Sequence, residues 1–183
     1  MNKLIPTFLL LAIFLGTAAY AEPPQKGDPF PNITLSGKLS AAQQNYLGIN
    51  EDGPLNIAAI DAEFIIIEIY SMYCPHCQKE APAVNNLYDK LKNSKTGNRM
   101  KLIGIGAGNS EFEIDFFKKK YKIKFPLFED GDLSIHTATG EAGTPHFFLI
   151  HNINGKLKTV YSHKGRMGNP VDFLKSLKEA AGI

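Results

Sequence analysis

The chain has 183 residues, 44% hydrophobic and 21% charged, the balance of one packed domain rather than of a disordered or collagen-like polymer. A formal charge of +2 gives no basic footprint for nucleic acid or an anionic membrane. The two cysteines cannot complete a four-sulfur zinc site.

In chain order, Lys3, the apolar stretch Leu4 to Ala18 and Ala19-Tyr20-Ala21 have the form of a secretory signal with a small-x-small cleavage site. Cleavage there divides the sequence into a signal peptide at 1–21 and one domain at 22–183, with a periplasmic or otherwise extracytoplasmic address. Retention of the segment as an anchor is the competing reading, but the run is short for a span of about 20 residues and contains Pro6. Pro23, Pro24, Pro29 and Pro31 make the start of the domain an extended lead-in. Ile33 to Leu35 reads as a short strand ended by Ser36-Gly37, and Ala41 to Tyr46 as a short helix before a loop through Asp52-Gly53-Pro54.

Phe64 to Tyr70 is a near-continuous β-branched and aromatic run, the pattern of a strand buried on both faces. Ala81, Val84, Tyr88 and Leu91 then repeat at helical spacing, so a helix runs from Pro75 to about Asn93 with Pro82 inside it. Lys101 to Gly106 is the next strand. Ser110 and Glu113 form a capping box for a helix to Tyr121, with Phe112, Phe116 and Phe117 expected on its buried side and Lys118-Lys119-Lys120 as a solvated face. Phe125 to Phe128 is extended, and Leu133 to Ala138 a helical turn or two. Strands at Phe147 to His151 and Leu157 to Tyr161 meet at an Asn154-Gly155 hairpin. Asn169 caps the last helix, Pro170 opens it, Val171, Leu174, Leu177 and Ala181 form its stripe, and Gly182 ends it. Such an order implies an α/β domain, one mixed sheet covered by helices.

Cys74 and Cys77 flank Pro75-His76 where a strand gives way to a helix, the placement of a redox pair. There Cys74 meets unpaired N–H groups and the positive end of the helix dipole, which favour the thiolate that attacks disulfides. Cys77, one turn further in, is the shielded resolving thiol. Pro75 and His76 tune the pair, His76 by offering Cys74 a hydrogen bond or positive charge. Glu68, in an otherwise apolar strand, reads as a proton acceptor for Cys77 with its pKa raised by desolvation, or else as an edge acid paired with a lysine. Glu80 lies three residues after Cys77; it could also move protons or be an exposed helix acid. A purely structural disulfide is the competing reading, yet closing four residues contributes about 2 kcal/mol against about 5 for a 100-residue loop, and a domain of this size buries its own core.

The strand, Cys74-Pro75-His76-Cys77, the helix containing Pro82 and the later Gly143-Thr144-Pro145 together resemble a thioredoxin fold, here with an N-terminal extension and a central βα insertion. The resemblance implies that Pro145 is cis and faces the cysteines, and that the backbone beside Thr144 pairs with an extended substrate peptide. Gly27-Asp28-Pro29-Phe30-Pro31, Cys77 to Pro82, Phe125-Pro126-Leu127, Thr144 to Ile150 and Asn154-Gly155-Lys156 are similar to TlpA-type periplasmic thioredoxins. Cys74-Pro75-His76-Cys77 with Glu68 upstream instead resembles the disulfide-introducing DsbA proteins, whose helical insertion has no room here. Many TlpA-type proteins carry Trp and Pro where Tyr73 and His76 stand, which leaves the direction of electron flow open.

The resemblance implies a protein thiol-disulfide oxidoreductase that exchanges a Cys74–Cys77 disulfide with protein thiols and needs no other cofactor. Its implied partners are protein thiols or disulfides, apocytochrome c among them, and a membrane-bound or periplasmic redox protein. A reading from another class is a copper metallochaperone using both cysteines and a histidine such as His146. Covalent c-type haem requires His where Gln78 stands, and a peroxidatic cysteine motif is not evident.

Overall fold

The computed structural model describes residues 22–50 and 53–183; the expected signal peptide at 1–21 and Asp52 of the expected loop lie outside them. Strands β1 (Thr34–Leu35) and β2 (Leu55–Asn56) pair antiparallel around helix α1 (Ala41–Leu47). The main sheet comprises β3 (Phe64–Tyr70), β4 (Met100–Ala107), β5 (Leu127–Asp130), β6 (His146–Ile153) and β7 (Lys156–Lys164) in the order β5-β4-β3-β6-β7. The pairs β3–β4 and β4–β5 are parallel, and β6 runs antiparallel to both its neighbours. Helices α2 (Pro75–Lys92), α3 (Glu111–Tyr121), α4 (Ser134–Ala138) and α5 (Pro170–Ala181) complete the thioredoxin-like fold.

All seven residues of β3 are buried, because the strand is central and covered on both faces. Phe64, Ile66 and Tyr70 pack with Cys77, Ala81 and Val84 of α2 and with Phe173, Leu174 and Leu177 of α5. Ile65, Ile67 and Ile69 pack on the other face with Phe30, Ile33, Leu35, Leu47 and Ile57 from the N-terminal extension. Each such side chain contributes about 1.5–3 kcal/mol on burial. Strand alternation gives Glu68 the parity of Phe64, Ile66 and Tyr70, which places it on the α2 side of the sheet.

The N-terminal extension also reaches both margins of that sheet. Phe30 N–H donates to Leu157 O at 3.0 Å and Thr159 N–H to Asp28 O at 2.9 Å along β7, while Glu129 N–H of β5 donates to Ser36 O at 3.0 Å. At the opposite end of β7, the expected hairpin turn forms with positive φ at Asn154 (52°) and Gly155 (83°), the combination an Asn-Gly pair favours. The flanking strands β6 and β7 are longer than their apolar cores suggested, because the ladder continues through polar residues on both sides.

Two helix faces differ from expectation. In α3 the buried residues are Ile114 and Phe117, whereas Phe112 and Phe116 are 79% and 48% exposed. Residues 112 and 116 share one side of a helix and 114 and 117 another, and only the second side meets the core. In α5 Val171 is 54% exposed and Phe173 takes its place in the core, edge-on to Phe147 and Tyr161.

Candidate active site

Four residues, Ser71 to Cys74, separate the end of the central strand from the start of helix α2. Cys74 is its N-cap residue, with extended φ −80° and ψ 116°, and Pro75 occupies the first turn, where its missing N–H costs nothing. Both thiols are free. Cys74 is half-buried, and its S–H lies 3.3 Å from the carbonyl oxygen of Thr144. The Thr144–Pro145 peptide is cis, and the Cys74 contact with Thr144 sets the loop before β6 against the sulfur.

The two sulfurs differ sharply in environment. Burial alone would push the Cys74 thiol up, but a side-chain hydrogen bond with Thr144 and bonds from the Cys77 and His76 backbone hold it below the ordinary thiol value. Its thiolate is favoured accordingly. Cys77 is 1% exposed. Burial drives its pKa well above the usual thiol range despite a backbone hydrogen bond from Ser71, and the negative charges of Glu68 and Cys74 push the same way. The His76 side chain is exposed; what acts on Cys74 is its backbone N–H.

Glu68 is 4% exposed on the central strand, not at an edge beside a lysine. Burial, then the charges of Glu80 and Cys74, push its carboxyl up to about 8. Glu80 is fully buried rather than a surface acid. It accepts from Met167 N–H at 2.8 Å and from Nε of Arg166, tying α2 to the segment before α5. Arg166→Ala would leave that carboxylate without its cation; the arginine is half exposed, so we expect a loss of about 2 kcal/mol, measurable by chemical denaturation.

Two residues that the sequence did not single out hold the approach to the cysteines. Asn109, 0% exposed, accepts Met72 N–H on its Oδ1 at 2.8 Å, and Gln78 Nε2 donates to Met72 O at 2.7 Å. Both polar groups of Met72 are thus fixed just before Tyr73-Cys74. The Tyr73 hydroxyl in turn donates to Glu113, whose other oxygen caps α3 through Ser110 N–H at 2.8 Å. No motif announces Asn109; it sits 37 positions from its partner.

His146, the candidate third copper ligand, packs on Phe148 with ring centroids 4.3 Å apart. Phe148 belongs to the core on the sheet face opposite Cys77. The ring's Nε2 lies 2.9 Å from Ser162 Oγ, and burial, then the charges of His163 and Lys164, lower its pKa to about 4. Among the described residues no group of three or more His, Cys, Asp or Glu side chains is arranged to hold a metal ion.

Residues 27–160 match the AhpC/TSA family. The thiol-disulfide oxidoreductase ResA of Halalkalibacterium halodurans is 25% identical over 133 residues, 72% of this chain and 72% of that protein. A thiol:disulfide interchange protein of the thioredoxin family from Chlorobium tepidum superposes with a TM-score of 0.59 at 18% identity, over 85% of this chain and 97% of that one. A secreted disulfide oxidoreductase of Mycobacterium tuberculosis gives 0.56 at 16% identity, over 83% and 96%. The two structural likenesses bear on the fold.

Proposed function

The chain belongs to the AhpC/TSA family, and from the paired thiols we propose that it is an extracytoplasmic protein thiol-disulfide oxidoreductase, a TlpA-type body carrying a DsbA-like Cys-Pro-His-Cys site. The observation that carries the reading is the asymmetry of the pair: a half-exposed Cys74 with a lowered pKa against the Thr144–Pro145 loop, and a buried Cys77 behind it. The extracytoplasmic address is supported by the signal-like sequence before Glu22.

In the reducing direction the Cys74 thiolate attacks a client disulfide. A Cys74–client S–S bond forms, the client S–S bond breaks, and the departing client sulfur leaves as a thiolate. Glu68 in its carboxylate form, which becomes populated as pH rises towards its pKa of about 8, takes the Cys77 proton. Cys77 then attacks the Cys74 sulfur, closing Cys74–Cys77 and releasing the second client thiolate. Two electrons have passed from the pair to the client. The same steps reversed oxidise a client dithiol, and a membrane-bound or periplasmic redox protein resets the pair.

Insulin tests the activity. With dithiothreitol as electron source, the protein is expected to accelerate cleavage of the interchain disulfides, and Cys74→Ser to return the rate to that of dithiothreitol alone. Equal acceleration by Cys74→Ser would exclude the reading. Equilibration of the pair against glutathione buffers gives its reduction potential and hence the working direction.

A further inference from the structure

Beside Cys74 lies a groove of about 420 Å³ lined by Met72, Tyr73, Ser110, Phe112, Glu113 and Phe116. All three of its aromatic residues are open to solvent: Tyr73 is 65%, Phe112 79% and Phe116 48% exposed. Single exposed apolar side chains are ordinary, but a contiguous cluster marks a surface that something covers. We propose that this groove binds a large apolar side chain of an unfolded client polypeptide, on one side of the client cysteine that reacts with Cys74. The inference rests on the exchange activity proposed above and names the class of client it serves.

Position fixes the occupant. Tyr73 is the chain neighbour of Cys74, so a polypeptide whose sulfur bonds to Cys74 lies between the groove and the Thr144–Pro145 loop. An extended chain advances about 3.3 Å per residue, so the side chain that reaches the groove stands roughly two to four residues from the client cysteine. Only one flank of an extended client faces the groove, the other running along the Thr144–Pro145 loop whose carbonyl lies against the Cys74 sulfur.

The groove is also held in shape before a client arrives. Its floor at Met72 is fixed by Asn109 and Gln78, and its wall at Tyr73 by the hydroxyl bond to Glu113. Little ordering cost is left to binding. Glu113 is engaged by Ser110 and Tyr73, and the ammonium of Lys120 stands over the Phe116 ring 5.8 Å from its centroid. An apolar side chain therefore matches the groove, with the lysine at its rim. A folded protein buries such side chains, so the client that offers one beside a reachable cysteine is unfolded.

Short peptides with one cysteine joined by a mixed disulfide to thionitrobenzoate test this. Cys74 displaces the coloured thionitrobenzoate anion and forms the Cys74–peptide disulfide; Cys77 then closes on Cys74 and frees the peptide thiolate. A series with one phenylalanine stepped along either side of the cysteine is compared with the serine peptide. We expect about tenfold faster displacement when phenylalanine is on one side only, and F112S/F116S to bring that ratio close to one. Thermal melting checks that the variant is folded, and Phe112, being outside the core, is also tested alone. Equal rates along the whole series, or a ratio unchanged in the folded variants, would overturn the docking proposal while leaving the exchange reading intact. No displacement by the wild type would overturn both. A wild-type dimer that F112S dissociates would show the occupant to be a second copy of this chain, against the proposal.

Discussion

Cys77→Ala is expected to turn an exchanger into a trap. Cys74 retains its half-buried position, its contact with Thr144 and the backbone hydrogen bonds of the first turn of α2, so the first step, attack on a client disulfide, proceeds. Release depends on Cys77, which acts from within the same molecule and has an effective concentration that no solution thiol matches. Turnover should therefore fall at least about a thousandfold, while a disulfide-linked complex with the client accumulates and is seen by intact mass or non-reducing electrophoresis. Cys74→Ala, with only the 1% exposed sulfur left, should give neither turnover nor complex. Accumulation in Cys74→Ala rather than in Cys77→Ala would mean that the roles of the two thiols are exchanged.

Glu68→Gln is the second large effect, and it should appear in both rate and stability. Its carboxyl is pushed up to about 8 in the fold, from 4.5 in the unfolded chain. The folded state therefore binds the proton more tightly, and the stability this confers is complete below about pH 4.5 and is lost as pH rises through about 8. Between roughly pH 6 and pH 9 the wild type should lose about 3 kcal/mol relative to Glu68→Gln, whose amide keeps the shape of the protonated acid and cannot ionise. Denaturant titrations at the two pH values measure the difference; parallel losses in both proteins would show that Glu68 does not titrate in this range. Resolution of the mixed disulfide should meanwhile slow about a hundredfold in Glu68→Gln, and the wild-type rise in that rate through pH 8 should flatten. An unchanged rate and profile would remove Glu68 from the proton path.

Features set by short-range pattern were legible in the sequence. The run Phe64 to Tyr70 can be apolar at nearly every position only where both faces are covered, which identified the central strand and made Glu68 conspicuous within it. The cysteine spacing and Pro75 placed Cys74 at a helix start, and resemblance supplied the cis peptide at Pro145. Features decided by distant partners were hidden. Burial of Glu80 depends on Arg166 and Met167, 86 and 87 positions away, and Asn109 reaches Met72 across the end of β4. Three phenylalanines at 112, 116 and 117 satisfy two different helix faces, and only the position of the sheet selects the one that is buried.

The N-terminal extension has a consequence for self-association. Its hydrogen bonds to Leu157 and Thr159 on one flank and to Glu129 on the other occupy backbone groups through which neighbouring molecules would otherwise stack strand against strand. What remains open on β7 ends at the cationic Lys164, a side chain that repels its own copy. Pairing of copies strand against strand along this sheet is thereby hindered.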